Sequence, residues 1–173
     1  MNKQEILNYL LKSRSDLNQW VEAQDNQKFG TGPDGKWSTG QHVDHLIQSA
    51  LMLTKGIKTP KFILKYKFGK PNRKSRDLET IKERYKDRLD QIPLGTPSPT
   101  KVRLLSSKDK DKVLMQFSAA TDKLITNAEK WTENQLDAIL LPHPLMGKMT
   151  VREILIWCAY HNYHHLNILK EKY

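Results

Sequence analysis

Apolar residues recur at helical spacing along most of the chain, and strand-like alternation is nearly absent. Ile6, Leu10, Leu17 and Val21, with Leu7 and Trp20 beside them, mark a first amphipathic helix running to about Ala23. The run Gly30-Thr-Gly-Pro-Asp-Gly35 breaks it. A second helix starts at Ser38, which forms a capping-box pattern with Gln41, and continues through Leu46, Ala50, Leu53 and Ile57 until Pro60. From Pro60 to Arg76 the chain reads as basic and irregular. Leu78 to Ile92 reads as a charged, exposed helix with Ile81, Tyr85 and Leu89 inward, closed by Pro93, Pro97 and Pro99. A third long helix spans about Lys110 to Trp131, with Val113, Phe117, Leu124 and Ala128 in register. Leu141 to Met149 reads as a loop, and Thr150 with Glu153 opens a last helix through a second capping box.

Four long amphipathic helices must bury their stripes against one another, so the pattern predicts an all-α four-helix bundle. The connection from helix two to helix three is long, carries the extra short helix, and allows a topology other than simple up and down. At 173 residues, with no shift in composition, one domain over 1–173 is expected. No segment approaches the roughly 18 apolar residues of a membrane span, and the N-terminus lacks the apolar core of a secretory signal, which predicts a cytoplasmic protein. The one cysteine, Cys158, lies in an apolar stripe and is expected to be a small buried hydrophobe.

The last helix departs from this plain picture. His161 and His165 sit four residues apart inside the apolar run from Ile154 to Leu169. With His161 as zero, His165 falls at about +40° around the helix, Ile154 at about +20°, Trp157 at about −40° and Ile168 at about −20°. Both histidines therefore point into the buried stripe, where two imidazoles can converge on a metal ion. His164, at about −60°, lies at the stripe's margin. A lone histidine on such a face is usually a hydrogen-bonded core residue, but two at this spacing favour ligation. A third protein ligand is then needed for a zinc-like site with an open position. His143 lies between prolines in a loop and suits a turn or a lining role. His42 and His45 are not separated by periodicity, His42 being somewhat nearer the centre of the apolar face.

The segment Trp37-Ser-Thr-Gly-Gln-His-Val-Asp-His-Leu46 resembles the helix-two signature of the DinB-like superfamily, which includes the YfiT-type proteins. His143-Pro-Leu-Met-Gly-Lys-Met-Thr150, followed by Glu153, His161 and His165, resembles the family's approach to its last helix. The likeness extends over the whole chain through the order and lengths of the helices. It implies a four-helix bundle with one divalent metal held by His45, His161 and His165. It also implies the family's range of activities, thiol-dependent S-transferases or isomerases using low-molecular-weight thiols, and hydrolases. Dimers are common among such proteins, which leaves a homodimer open.

Three neutral imidazoles suit zinc first, with nickel or iron(II) as alternatives. No Glu stands in a His-Glu-x-x-His arrangement, which excludes a zincin protease pattern. Asp44 reads as a surface carboxylate, Tyr160 and Tyr163 as structural, and Trp37 as packing at the helix entry. The charge balance, 29 Lys+Arg against 19 Asp+Glu, adds a second candidate feature. Seven basic and no acidic residues lie between Lys61 and Arg76, interleaved with Phe62, Tyr66 and Phe68. A solvated loop accounts for this most simply. An anionic small-molecule substrate is the partner it suits next, and a non-catalytic module binding nucleic acid or an acidic surface stays open but is not favoured. A bundle that a metal stabilises without catalysis is the third alternative.

Overall fold

The architecture is that of a computed structural model, which describes residues 1–93, 96 and 100–173. Four long helices form the frame: α1 (Lys3–Glu22), α3 (Thr39–Lys58), α6 (Lys110–Glu129) and α8 (Val151–Lys172). Between them lie α2 (Asn26–Gly30), α4 (Lys61–Phe68), α5 (Leu78–Asp90) and α7 (Glu133–Ala138), with a hairpin of β1 (Leu140–His143) and β2 (Gly147–Thr150). The expected four-helix bundle is therefore present, and among the described residues a short two-stranded sheet is added to it.

Cross-links between helices fix their directions. Asn18 donates to Ser118 Oγ (2.9 Å) and Lys3 Nζ to the Glu129 carbonyl (3.1 Å), so α1 and α6 are antiparallel. Asn162 donates to Ser13 Oγ (3.0 Å) and Arg152 to the Met1 carbonyl (2.9 Å), so α1 and α8 run the same way. His42 faces His165 and His45 faces His161, so α3 opposes α8. It follows that α3 and α6, which pack along each other, are parallel. A 20-residue helix is about 30 Å long, so the chain must return that distance before α6 begins. The 59–109 connection makes the return, and its α5 lies against α8 through Ile81 and Tyr85.

Local chemistry sets the ends of these elements. Both predicted capping boxes form: Ser38 Oγ accepts from Gln41 N, and Thr150 Oγ1 accepts from Glu153 N, each with the reciprocal bond. The side chain of Glu153 continues inward. It is 0 % exposed and accepts from Arg73 Nη2 (3.0 Å), Arg76 N (2.6 Å) and Thr150 N (3.0 Å). Burial pushes this carboxyl up, but hydrogen bonds from Arg73 and the two backbone donors outweigh it and hold it below its ordinary range.

Three expectations are corrected. Lys61–Phe68 is a helix with Leu64 as its buried residue, while Phe62 and Tyr66 are exposed. Leu141 to Met149 is mostly hairpin, with Leu141 opposite Met149, and Gly147 at φ +72° supplies the left-handed residue of its turn. Asp44 is not a surface carboxylate: it is 1 % exposed and accepts from Arg103 Nε (2.8 Å), Arg103 N (2.9 Å) and Gln48 Nε2 (2.9 Å). Its partner arrives from the segment before α6, which helical azimuth cannot reveal. Pro97 and Pro99 lie outside the described residues. Cys158 is buried, and burial pushes its thiol up to about 12, as suits a small hydrophobe. Among the described residues no helix is long and apolar enough to cross a membrane.

Candidate metal centre

The first turns of α3 and the second half of α8 meet around five imidazoles, of which His42, His161 and His165 are buried and His45 and His164 half-buried. Ser38 caps α3, and Gly40 in its first turn has the Phe29 ring where a Cβ would stand, 2.8 Å away. This close approach of α2 seats Trp37 and His42 at the end of the bundle. On α8, His161 and His165 are 2 % and 7 % exposed, as their azimuth requires.

His45, His161 and His165 each present one nitrogen, all within 4.8 Å of one another. His45 Nε2 lies 3.3 Å from His161 Nε2, and His165 Nε2 lies 3.1 Å from that same atom. Ordinary hydrogen bonding accounts poorly for this. A ring nitrogen has either one N–H or one lone pair, so His161 Nε2 can serve one neighbour well but not both. A metal ion accepts all three lone pairs at once. Zinc–nitrogen bonds of about 2.0–2.1 Å set tetrahedral ligands about 3.3 Å apart, close to the separations found here. No carboxylate joins the group among the described residues.

His42 and His164 fall outside this group. His42 Nδ1 sits 2.7 Å from His165 Nδ1, on the edge of that ring facing away from the centre. His164 turns its ring edge-on to Tyr85, with centroids 5.4 Å apart. His143 is the turn residue its sequence context suggests: its Nδ1 accepts from Leu145 N (3.1 Å) and Met146 N (3.0 Å). It also caps a stack, with its ring 4.2 Å from that of Trp157, which in turn lies 4.5 Å from His161.

Two tryptophans wall the group. Trp157 stacks on His161 from within, while Trp37 stands over His45, His42 and His165 at 5.3, 5.5 and 6.5 Å between centroids. Trp37, at the helix entry where packing is expected of it, also roofs the site. Tyr163 is structural as expected, donating to Asp16 Oδ2 at 2.7 Å and stacking on Tyr9. Tyr173, which follows α8, also reaches this end of the bundle. Its hydroxyl donates to the Trp37 carbonyl and lies 3.4 Å from His42 Nε2, and no local motif signals that role.

Burial keeps these rings neutral. It pushes His42, His45 and His143 down to about 4, with neighbouring histidines adding to the effect at His42, while Asp44 opposes it at His45. His161 and His165 are pushed further down, again chiefly by burial. Near neutral pH each of the three rings thus keeps one bare nitrogen that can act as a Lewis base. Acid lability follows. In the unfolded chain these histidines take up protons near pH 6.5, whereas in the folded chain they stay neutral to about pH 4. The unfolded state therefore binds more protons in that window, and stability, full above pH 6.5, falls as pH drops. Each such histidine contributes about 1.4 kcal/mol per pH unit. With chelator present, the urea midpoint is expected to fall steeply between pH 7 and 5. A midpoint that does not move would mean that the folded protein takes up these protons too.

The basic 61–76 segment is partly committed elsewhere, since Arg73 and Arg76 both pair with Glu153. Lys65, Lys70, Arg73 and Lys74 line a surface cavity of about 630 Å³ beside Asp137, whose carboxylate is held by Arg152.

A model of the DinB superfamily matches residues 4–169. Among solved structures the chain is similar to one described as TT2238, a four-helix bundle protein, at a TM-score of 0.61 and 18 % identity, covering 98 % of each chain. That likeness bears on the fold alone. Among curated proteins nothing matches. With the family pattern covering all four long helices and the histidines that α3 and α8 bring together, the chain belongs to the DinB superfamily.

Proposed function

We propose that the protein is a metal-dependent enzyme in which His45, His161 and His165 hold one divalent ion through Nε2, with a coordination position left for water or a low-molecular-weight thiol. Zinc is the first candidate, since three neutral nitrogen donors without a carboxylate suit it, and nickel or iron(II) are the alternatives. The reading rests on one observation, the convergence of three ring nitrogens, of which the Nε2 of His161 cannot serve both its neighbours well by hydrogen bonding. When bound there, such an ion supplies the positive charge that lowers the pKa of water or thiol toward neutrality, which serves hydrolysis and S-transfer alike.

The chain's own groups prepare that chemistry. Burial holds the three imidazoles unprotonated, and the Asp44 carboxylate favours positive charge on His45 and so raises its basicity. Trp37 and Trp157 keep bulk water from two sides of the group. A binding module built on the basic segment is the weaker reading, because two of its arginines are already paired with a buried carboxylate.

The test is metal analysis of protein purified without an affinity tag, followed by assays of thiol transfer and ester hydrolysis with the metal removed and restored. One ion per chain and turnover that depends on it are expected. Protein that takes up no stoichiometric zinc, nickel or iron(II) would overturn the reading.

A further inference from the structure

A chain of hydrogen bonds behind His165 has a direction that the protein alone dictates. It ends at the Trp37 carbonyl, which can only accept, so the single hydroxyl hydrogen of Tyr173 must point there. Tyr173 Oη is then an acceptor toward His42 Nε2, 3.4 Å away, and His42 carries its hydrogen on that nitrogen. A neutral His42 with hydrogen on Nε2 has a bare lone pair at Nδ1. That atom lies 2.7 Å from His165 Nδ1, so the hydrogen shared between them belongs to His165. A neutral His165 with hydrogen on Nδ1 has its lone pair at Nε2, directed at His45 and His161. Both rings are buried, at 6 % and 7 % exposure.

Resting on the three-histidine reading, we propose that His42 is a positioning residue for the metal centre: it accepts the Nδ1 hydrogen of His165, with Tyr173 fixing its own tautomer, and so presents the Nε2 lone pair of His165 to the ion. The relay is particular to one ligand. Nδ1 of His45 and Nδ1 of His161 are buried and meet no hydrogen-bond partner among the described residues. His165 is thus the ligand whose orientation the protein prescribes, and His42, the more buried of the two α3 histidines, is its support.

Zinc affinity, measured by chelator competition on untagged protein, tests the assignment. His42→Ala is expected to bind zinc about 10- to 100-fold more weakly with one-to-one stoichiometry retained, the usual cost of losing a group that orients a ligand. His42→Gln, whose amide oxygen can accept the same hydrogen, should recover most of the loss. Tyr173→Phe, at the half-buried end of the relay, should weaken binding by a smaller factor, and it keeps the test available if His42→Ala fails to fold. In zinc-free wild type, long-range proton–nitrogen spectra should show His165 protonated at Nδ1, and His42→Ala should release that preference. Unchanged zinc affinity in folded His42→Ala, or a His165 protonated at Nε2 in wild type, would overturn the relay. So would loss of the bound zinc itself in His42→Ala, which would make His42 a ligand. Wild type that binds no zinc would instead overturn the three-histidine reading, so the two failures are distinct.

Discussion

Alanine at His161 is expected to abolish stoichiometric metal binding and leave the fold in place. His161 is the shared vertex of the group, since its Nε2 lies 3.3 Å from that of His45 and 3.1 Å from that of His165. Without it the remaining pair are no longer bridged, and two nitrogen donors fall short of the three protein ligands that a centre with an open position needs. Metal content should drop from about one ion per chain to near zero, a larger loss than the 10- to 100-fold effect expected of a supporting group. The cavity left beside Trp157 should cost some stability. However, the change also removes a buried ring whose protonation the fold resists, so the acid sensitivity of the metal-free protein should lessen. His164→Ala is the matched control. It removes a histidine on the same helix whose ring faces Tyr85, and metal content should stay at the wild-type level. Metal analysis of the two variants side by side decides the matter. Retention of a full ion by His161→Ala would exclude the three-histidine centre.

The four long helices were legible because each buries a stripe over five turns, long enough for the 3.6-residue period to emerge. The second helix starts where Ser38 and Gln41 predict, and the last where Thr150 and Glu153 predict. Short elements gave no such signal. Lys61–Phe68 buries Leu64 alone and exposes two aromatic rings, so charge masked its helical character. The hairpin has four residues per strand and a proline in the first, too little for alternation to register. The candidate site divides in the same way. Azimuth placed His161 and His165 inward, and both are buried. Between His42 and His45 it does not decide, because periodicity reports burial and the more buried of the two, His42, is the one behind the group. The family motif, whose spacing records position around the site, gave His45, the residue that joins His161 and His165 in the group. Asp44 with Arg103, and Tyr173 with Trp37, join residues 59 and 136 positions apart, which no local pattern can supply.

Replacing Glu153 by alanine should have the largest effect on stability. The carboxylate is wholly buried in the first turn of α8, and it ties the 59–109 connection to that helix through Arg73 and Arg76. Removing one member of a buried, hydrogen-bonded ion pair costs about 3–5 kcal/mol. The arginine side chains keep 31 % and 20 % of their surface exposed and can partly rehydrate, which places the loss near about 3 kcal/mol, the lower end of that range. For a chain of this size that is a fall in Tm of about 6–12 °C. Glutamine should rescue little. Every group around the carboxylate is a donor, two on Arg73 and the backbone N–H of Arg76 and Thr150, so the amide NH2 of glutamine would face another donor. The pH dependence identifies the cause. Because the folded carboxyl lies below its ordinary 4.5, its contribution is complete above that pH and is lost as pH falls further. The wild type and Glu153→Ala should therefore differ most near neutrality and converge in acid. A difference that persists unchanged into acid would mean that lost packing, not the charge, sets the cost. Glu153 lies eight residues before His161, about 12 Å along α8, so saturating zinc should raise the Tm of wild type and variant by similar amounts. A variant that gains nothing from zinc would instead show that the clamp at the start of α8 also sets the register of the histidines two turns further on.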